Sequence, residues 1–322
     1  MIAPEAATPP APPLAFLGVQ RVPFRFALGE IRLFAPSLSL AVVEVEPGAT
    51  LPQNWRDGLP PSETADGYLI RGLPADAVAG AAGGDWYTQT LRTYPRHLVD
   101  LTTGYEAYMA KFSAKTRSTL KRKLRKFQEL SGGALHWEQF RTKDELATFL
   151  PRARELSAKT YQERLLDAGL PQDASFTAQA HDLAARGAVY AYLLFLNGRP
   201  VSYLYLPVER GRVIYAYLGY DPAVAEHSPG TVLQLLAMER LFAEPGLTVF
   251  DFTEGAGQHK QLFATHAIDC ADVVLLKRKP GALALAKAHS AFSRVEASLV
   301  TALDRLGLKK RIKQLIRRVS GA

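Results

Sequence analysis

The stretch from Ala188 to Tyr220 constrains the fold more than any other. It contains three apolar runs, AVYAYLLFL, VSYLYLPV and VIYAYLGY, separated only by NGRP and ERGR. Short runs rich in Tyr, Val and Leu between turn residues read as strands. Asn197-Gly198 tolerates positive φ at both centres of a two-residue turn. Strands joined this tightly must run antiparallel, so the three form a meander. Upstream, ALHWEQF (134–140) reads as a strand. The run TKDELATFLPRARELSAKTYQE reads as a helix, kinked or divided at Pro151. SFTAQAHDLAARG is a second helix with Gly187 as its stop. Downstream come a helix (SPGTVLQLLAMERLFAE), a strand (LTVFDF), a short helix (HKQLFATHA) and a last strand (CADVVLLKR). The order is β-α-α-β-β-β-α-β-α-β. Imperfect apolar alternation predicts a sheet covered on both faces. The fold class expected is α/β (α+β), with a central mixed, mostly antiparallel sheet flanked by helices.

Around this block the chain is divisible by composition. Residues 1–13, MIAPEAATPPAPP, read as a disordered Pro/Ala-rich leader without a basic n-region, since Arg21 is the first positive side chain. Residues 14–101 are β-rich and broken by Gly and Pro clusters. Residues 102–133 carry a long helix that ends at Gly132-Gly133. The second block is expected to span 134–280, followed by a basic amphipathic tail over 281–322. With 322 residues there is material for one large domain or two modest ones. The single cysteine, Cys270, cannot form an internal disulfide and fits a reducing compartment. No apolar run approaches the roughly 18 residues needed to span a bilayer. A cytoplasmic protein is expected.

The net charge of +8 is localised. Lys115–Lys126 holds seven basic residues and no acid, and Lys309–Arg318 holds six and no acid, so the remainder is net negative. Such patches suit anionic partners (phosphates, nucleic acid or a membrane surface), although either could equally be a solvated helix face.

Four segments carry a resemblance to a known family: FSAKTRSTLKRKLRKF, NGRPVSYLYL, YLGYDPAVAEHSPGTVLQ and FDFTEGAGQHKQLFA. From about Leu101 to Pro280 the chain resembles the CelD-like acetyltransferases of polysaccharide biosynthesis. These are a branch of the GCN5-related N-acetyltransferase (GNAT) superfamily close to the FemAB-type transferases. The resemblance implies a GNAT fold over 134–280, with residues 14–101 a shortened GNAT-like half. It implies direct transfer from acetyl-CoA or another acyl-CoA to an amine of a cell-envelope or exopolysaccharide precursor. FemAB-type relatives use aminoacyl-tRNA as donor, which is the alternative.

Candidate site residues follow. In HSPGT, Ser228 suits an N-cap and Pro229 the first helical position. The amides of Gly230, Thr231 and Val232 would then point out of a helix end that attracts phosphate. The family holds the coenzyme A pyrophosphate at this junction, but its glycine-rich loop is replaced here by DPAVAEHSPGT. The same residues also make an efficient helix start. Gly219 would ease a bulge where the central strand leaves the sheet. Tyr220 follows it and is a catalytic candidate, because in the family a backbone amide at this point can hold the thioester oxygen. Asp221 either touches substrate, with His227 beside it, or caps the turn before Pro222. Asp251 ends a strand where open sheets place ligands and could take a proton from an attacking amine. Glu254 lies further into the loop. Lys260 could offset charge on the tetrahedral intermediate, and His259, which stands where the family has tyrosine, could shuttle a proton.

The loop GAGQHK does not fit a phosphate-binding G-x-x-x-x-G-K-[ST] pattern, and no G-x-S-x-G elbow occurs. Among the seven histidines there is no HExxH or paired spacing, so no metal is expected. Arg117 and Lys121 lie on one stripe of the basic helix and could steer coenzyme A, an acyl carrier protein or tRNA. Residues 299–319 alternate apolar and cationic positions. They could lie on an anionic membrane near a lipid-linked sugar acceptor, on the inner face, or pack on the body. A third reading is non-catalytic: a peripheral membrane or nucleic-acid-binding module built on the two basic segments.

Overall fold

The computed structural model of the chain describes residues 13–28, 31–164 and 169–305. The leader up to Pro12 and the tail beyond Arg305 lie outside the described residues. The chain divides into two compact units, Met1–Tyr94 with Ile268–Ala322, and Pro95–Ala267.

In chain order the strands before the basic helix are β1 (Leu14–Pro23), β2 (Phe26–Leu28), β3 (Ile31–Phe34), β4 (Ser37–Val45), β5 (Gly67–Pro74) and β6 (Trp86–Asp100). Then follow α1 (Tyr105–Ala110), α2 (Ala114–Leu130), β7 (His136–Phe140), α3 (Lys143–Arg164), α4 (Ala174–Ala185), β8 (Val189–Leu196) and β9 (Arg199–Glu209). The remainder is β10 (Arg212–Ile214), β11 (Tyr217–Tyr220), α5 (Pro229–Ala243), β12 (Val249–Glu254), α6 (Gln258–Phe263), β13 (His266–Lys277) and α7 (Pro280–Arg305).

In the first unit, β1 pairs antiparallel with β4, β4 parallel with β5, and β5 antiparallel with β13. Both faces are covered, with Val43, Ile70 and Val273 in one cluster and Val42, Leu69 and Val274 in the other. This accounts for the continuous apolar runs.

The second unit is built on the meander. Asn197 (φ 51°) and Gly198 (φ 74°) turn β8 into β9, and Arg210 (φ 51°) with Gly211 (φ 78°) turn β9 into β10. Beyond β8 lies β7, and beyond β10 lies β12, parallel to it; β12 pairs antiparallel with the last residues of β6. The sheet is mixed and mostly antiparallel, and it is flanked by helices. It is a GNAT fold.

α3 is one helix through Pro151, not two. Losing a helical bond to proline costs about 3 kcal/mol. Against that, Leu146, Phe149, Leu150 and Leu156 are almost fully buried, each contributing about 1.5–3 kcal/mol. Burial wins.

Candidate active site

The run read as one strand, VIYAYLGY, is two. β10 has neighbours on both sides: Val213 is opposite Val208 of β9 and Phe250 of β12. The Tyr215 amide donates to the Asp251 carbonyl at 2.9 Å, and there the contact with β12 ends. β11 goes on pairing with β9 alone, from Tyr217 opposite Tyr205 to Tyr220 opposite Ser202. Two neighbouring strands therefore part after Tyr215, four residues before Gly219. Gly219 does not make the break, because its pairing with Tyr203 is regular. A Cβ there would lie 2.2 Å from the Tyr203 ring, so glycine is required by close approach.

α5 starts beside β11. Leu218 and Tyr220, which share a face of β11, lie against Gly230, with Tyr220 Cδ1 3.4 Å from the position a Cβ would take. Ser228 is in the left-handed region (φ 55°), and its side chain caps nothing. Its carbonyl accepts from the Val232 amide at 3.1 Å, so Val232 is spent inside the helix. The expectation of a serine cap and three outward amides is thus corrected. The first-turn amides left without an intrahelical acceptor are those of Gly230 and Thr231, and Gly230 is buried.

Asp221 caps the following turn, accepting from the Ala223 amide at 3.0 Å, and its other oxygen accepts from Lys159 Nζ at 3.0 Å. Burial pushes its carboxyl up, but those two bonds outweigh burial and hold it below the usual range. His227 Nε2 lies 3.3 Å from Glu226.

Asp251 cannot be the base. Its side chain is fully buried. Arg96 Nη2 donates to Oδ2 at 2.6 Å, Arg96 Nε to both oxygens at 3.1 Å, and Arg212 Nη1 to Oδ2 at 3.1 Å. The Thr253 amide donates to Oδ1 at 2.8 Å. Arg212 Nη2 also reaches Glu209 at 2.8 Å. A carboxylate this enclosed has no path to an incoming amine. Its work is to lock β6, β10 and β12 together at the point of parting. Thr253 itself has φ 61°, unusual for a β-branched residue, and sits where the β12–β6 register shifts. Arg96 and Arg212 were not singled out from the sequence, although an Arg-His pair interrupting an apolar strand is a visible signal.

On the other face of β12, Phe252, Tyr215 and His259 form an aromatic group. Ring centroids are 5.2 Å apart for Tyr215 and Phe252, and 6.0 Å for Tyr215 and His259. Lys260 Nζ donates to the Glu254 carbonyl at 2.6 Å, closing the loop through Gly255. Burial pulls the Lys260 ammonium down, while Asp251 and Glu254 pull it back up, and burial prevails. His97, on β6, is buried with no hydrogen-bond partner at Nε2. Burial, and then the Lys260 charge, lower its pKa.

α2 packs against α5 and the 3-10 turn Pro222–His227. Leu120 and Phe127 are its buried face. Arg117, Lys121, Arg122 and Arg125 line one shallow groove on the same helix, and Arg117 Nη1 donates to the Ala110 carbonyl at 3.2 Å. Residues 114–261 match the family described as acetyltransferase (GNAT) domain.

Residues 114–261 are a GNAT-type acetyltransferase domain.

The GNAT-type domain lies within the second unit. The fold is also similar to that of FemX, at 12% identity with a TM-score of 0.54, over 80% of this chain and 88% of that one. The C-terminal domain of a putative lysylphosphatidylglycerol synthetase from Agrobacterium fabrum aligns at 12% identity with a TM-score of 0.49, over 70% of this chain and 72% of that one. No curated protein sequence matches the chain. Among the described residues no helix is long and apolar enough to cross a membrane.

Proposed function

We propose that the chain is an acyltransferase that carries an acyl group in one step from acyl-CoA to an amine. The observation that carries this reading is the parting of β11 from β12 after Tyr215, with the start of α5 on one side and the α6 loop on the other. A thioester placed in that gap would have its phosphates toward Gly230, Thr231 and the Arg117–Lys121 stripe. The acceptor nitrogen attacks the carbonyl carbon, the C–S bond breaks, and thiolate leaves. Lys260 offsets the transient oxyanion. With Asp251 enclosed, His259 becomes the candidate base, and Glu254 an alternative at the exposed loop. Tyr220, Asp221 and His227 are assigned to the acceptor side. The acceptor class follows the CelD-like resemblance: an amino sugar or another cell-envelope or exopolysaccharide precursor, lipid-linked if residues 299–319 meet an anionic membrane.

A second donor, aminoacyl-tRNA, is favoured by one observation. The start of α5 lacks a glycine-rich loop and is covered by Leu218 and Tyr220, whereas the basic stripe of α2 runs over about two helical turns. Isothermal titration of the full chain with acetyl-CoA and longer acyl-CoAs, then with charged and uncharged tRNA, separates the donors. Heat with an acyl-CoA supports the first reading. Heat with charged tRNA alone transfers the argument to the second. Silence with both overturns the transferase assignment.

A further inference from the structure

We propose that Lys111 is a positioning residue for α6, the helix that carries His259 and Lys260. Its kinetic consequence rests on the function proposed above; its structural consequence does not. α6 has six residues, too few to be stable alone, and its last carbonyls have no intrahelical donors. Side chains of α1 and the residue after it supply them. Tyr108 Oη donates to the Phe263 carbonyl at 3.0 Å. Lys111 Nζ donates to the Leu262 carbonyl at 3.0 Å and the Ala264 carbonyl at 2.6 Å. A cation at a helix C-terminus is favourable in itself. This one also lies 4.2 Å from the centroid of the Phe112 ring and 5.0 Å from that of Tyr108.

Just beyond α6, the Thr265 amide donates to the Leu98 carbonyl at 2.8 Å. The C-terminal end of α6 is therefore tied both to the α1 side chains and to β6. The other end leaves a loop containing Gly255 (φ 108°) and Gly257, where the backbone has most freedom. Lys260 lies two residues before Leu262 and bonds to that same loop. Fraying that begins at Leu262 and Ala264 would pass straight to the His259–Lys260 pair. Lys111 itself belongs to neither the α5 start nor the α6 loop; it acts through the backbone it holds.

The test compares Lys111→Met and Lys111→Arg in the full chain, with Lys111→Gln as a second neutral variant should the first fail to fold. Amide hydrogen exchange over residues 258–264 and steady-state kinetics are measured on each. The neutral variant is expected to exchange about tenfold faster in that segment and to lose about tenfold in kcat with KM for the donor unchanged, the equivalent of one charged hydrogen bond. Lys111→Arg is expected to restore both. Unchanged exchange in the neutral variant overturns the clamp regardless of activity. Faster exchange with full kcat overturns the positioning role. If the unaltered chain transfers no acyl group from any donor, the proposed function fails, while exchange still decides whether Lys111 holds α6.

Discussion

Arg96 and Asp251 form an ion pair across two antiparallel strands, with Nη2 2.6 Å from Oδ2 and both side chains buried. Removing one member unbalances a buried charge network, and breaking a buried pair in this way costs about 3–5 kcal/mol. Asp251→Ala and Arg96→Ala are each expected to lower the unfolding free energy by that amount, read from denaturant unfolding curves. Asp251→Asn should be damaged in stability as well. A stable Asp251→Asn protein with abolished turnover would reinstate the aspartate as a base.

Gly219 and Tyr203 make a second sharp test. A methyl group at 219 would meet the ring at 2.2 Å, and overpacking of this kind costs about 1–3 kcal/mol or more. Gly219→Ala should be destabilised, and Tyr203→Leu in the same chain should recover part of the loss. Full stability of the single variant would show that the ring moves aside.

Helix α3 opens with a reciprocal cap. Glu145 Oε2 accepts from the amides of Arg141 and Thr142 at 2.7 and 2.8 Å, and the Glu145 amide donates to Thr142 Oγ1 at 3.3 Å. Those amides hold the Glu145 carboxyl below its ordinary value. Because the folded pKa is depressed, the stabilisation is complete above the unfolded value and is lost as pH falls through the folded one. Glu145→Gln should cost about 1 kcal/mol at neutral pH. Its deficit relative to the native chain should shrink as pH falls below the ordinary glutamate value of 4.5, as followed by acid titration of the unfolding midpoint.

Lys260→Ala should retain donor affinity in titration while kcat falls about a hundredfold, the usual loss of one oxyanion-stabilising donor. Where the ammonium is required, the rate should decline as pH rises through a folded pKa below that of free lysine, since burial prevails over the nearby carboxylates. A decline placed at the ordinary lysine value, measured in the kcat profile, would refute that assignment.

The meander, its two-residue turns and the element order were legible because they depend on local chemistry: Asn197-Gly198, Arg210-Gly211 and continuous apolar runs. The parting of the strands was legible only approximately. Gly219 suggests a bulge, yet a glycine in a strand signals either a bulge or a close approach, and here it is the close approach to Tyr203. Asp251 shows the same ambiguity in charge. A strand-end carboxylate is a base or an ion partner according to what lies opposite, and its partners Arg96 and Arg212 are 155 and 39 residues away. The clamp from Lys111 to Leu262 spans 151 residues and leaves no local trace at all. Ser228 was misread for the opposite reason: its residue type fits a cap, but its left-handed backbone turns the hydroxyl elsewhere.

Arg96, Arg212, Asp251 and Glu209 carry two positive and two negative formal charges in one contact network. A neutral quartet casts little field beyond its own neighbourhood, whereas the four cations lining the α2 groove act at range through solvent. Ionic strength should consequently divide the molecule's behaviour: added salt slows the arrival of an anionic donor while leaving the junction of β6, β10 and β12 as firm as before.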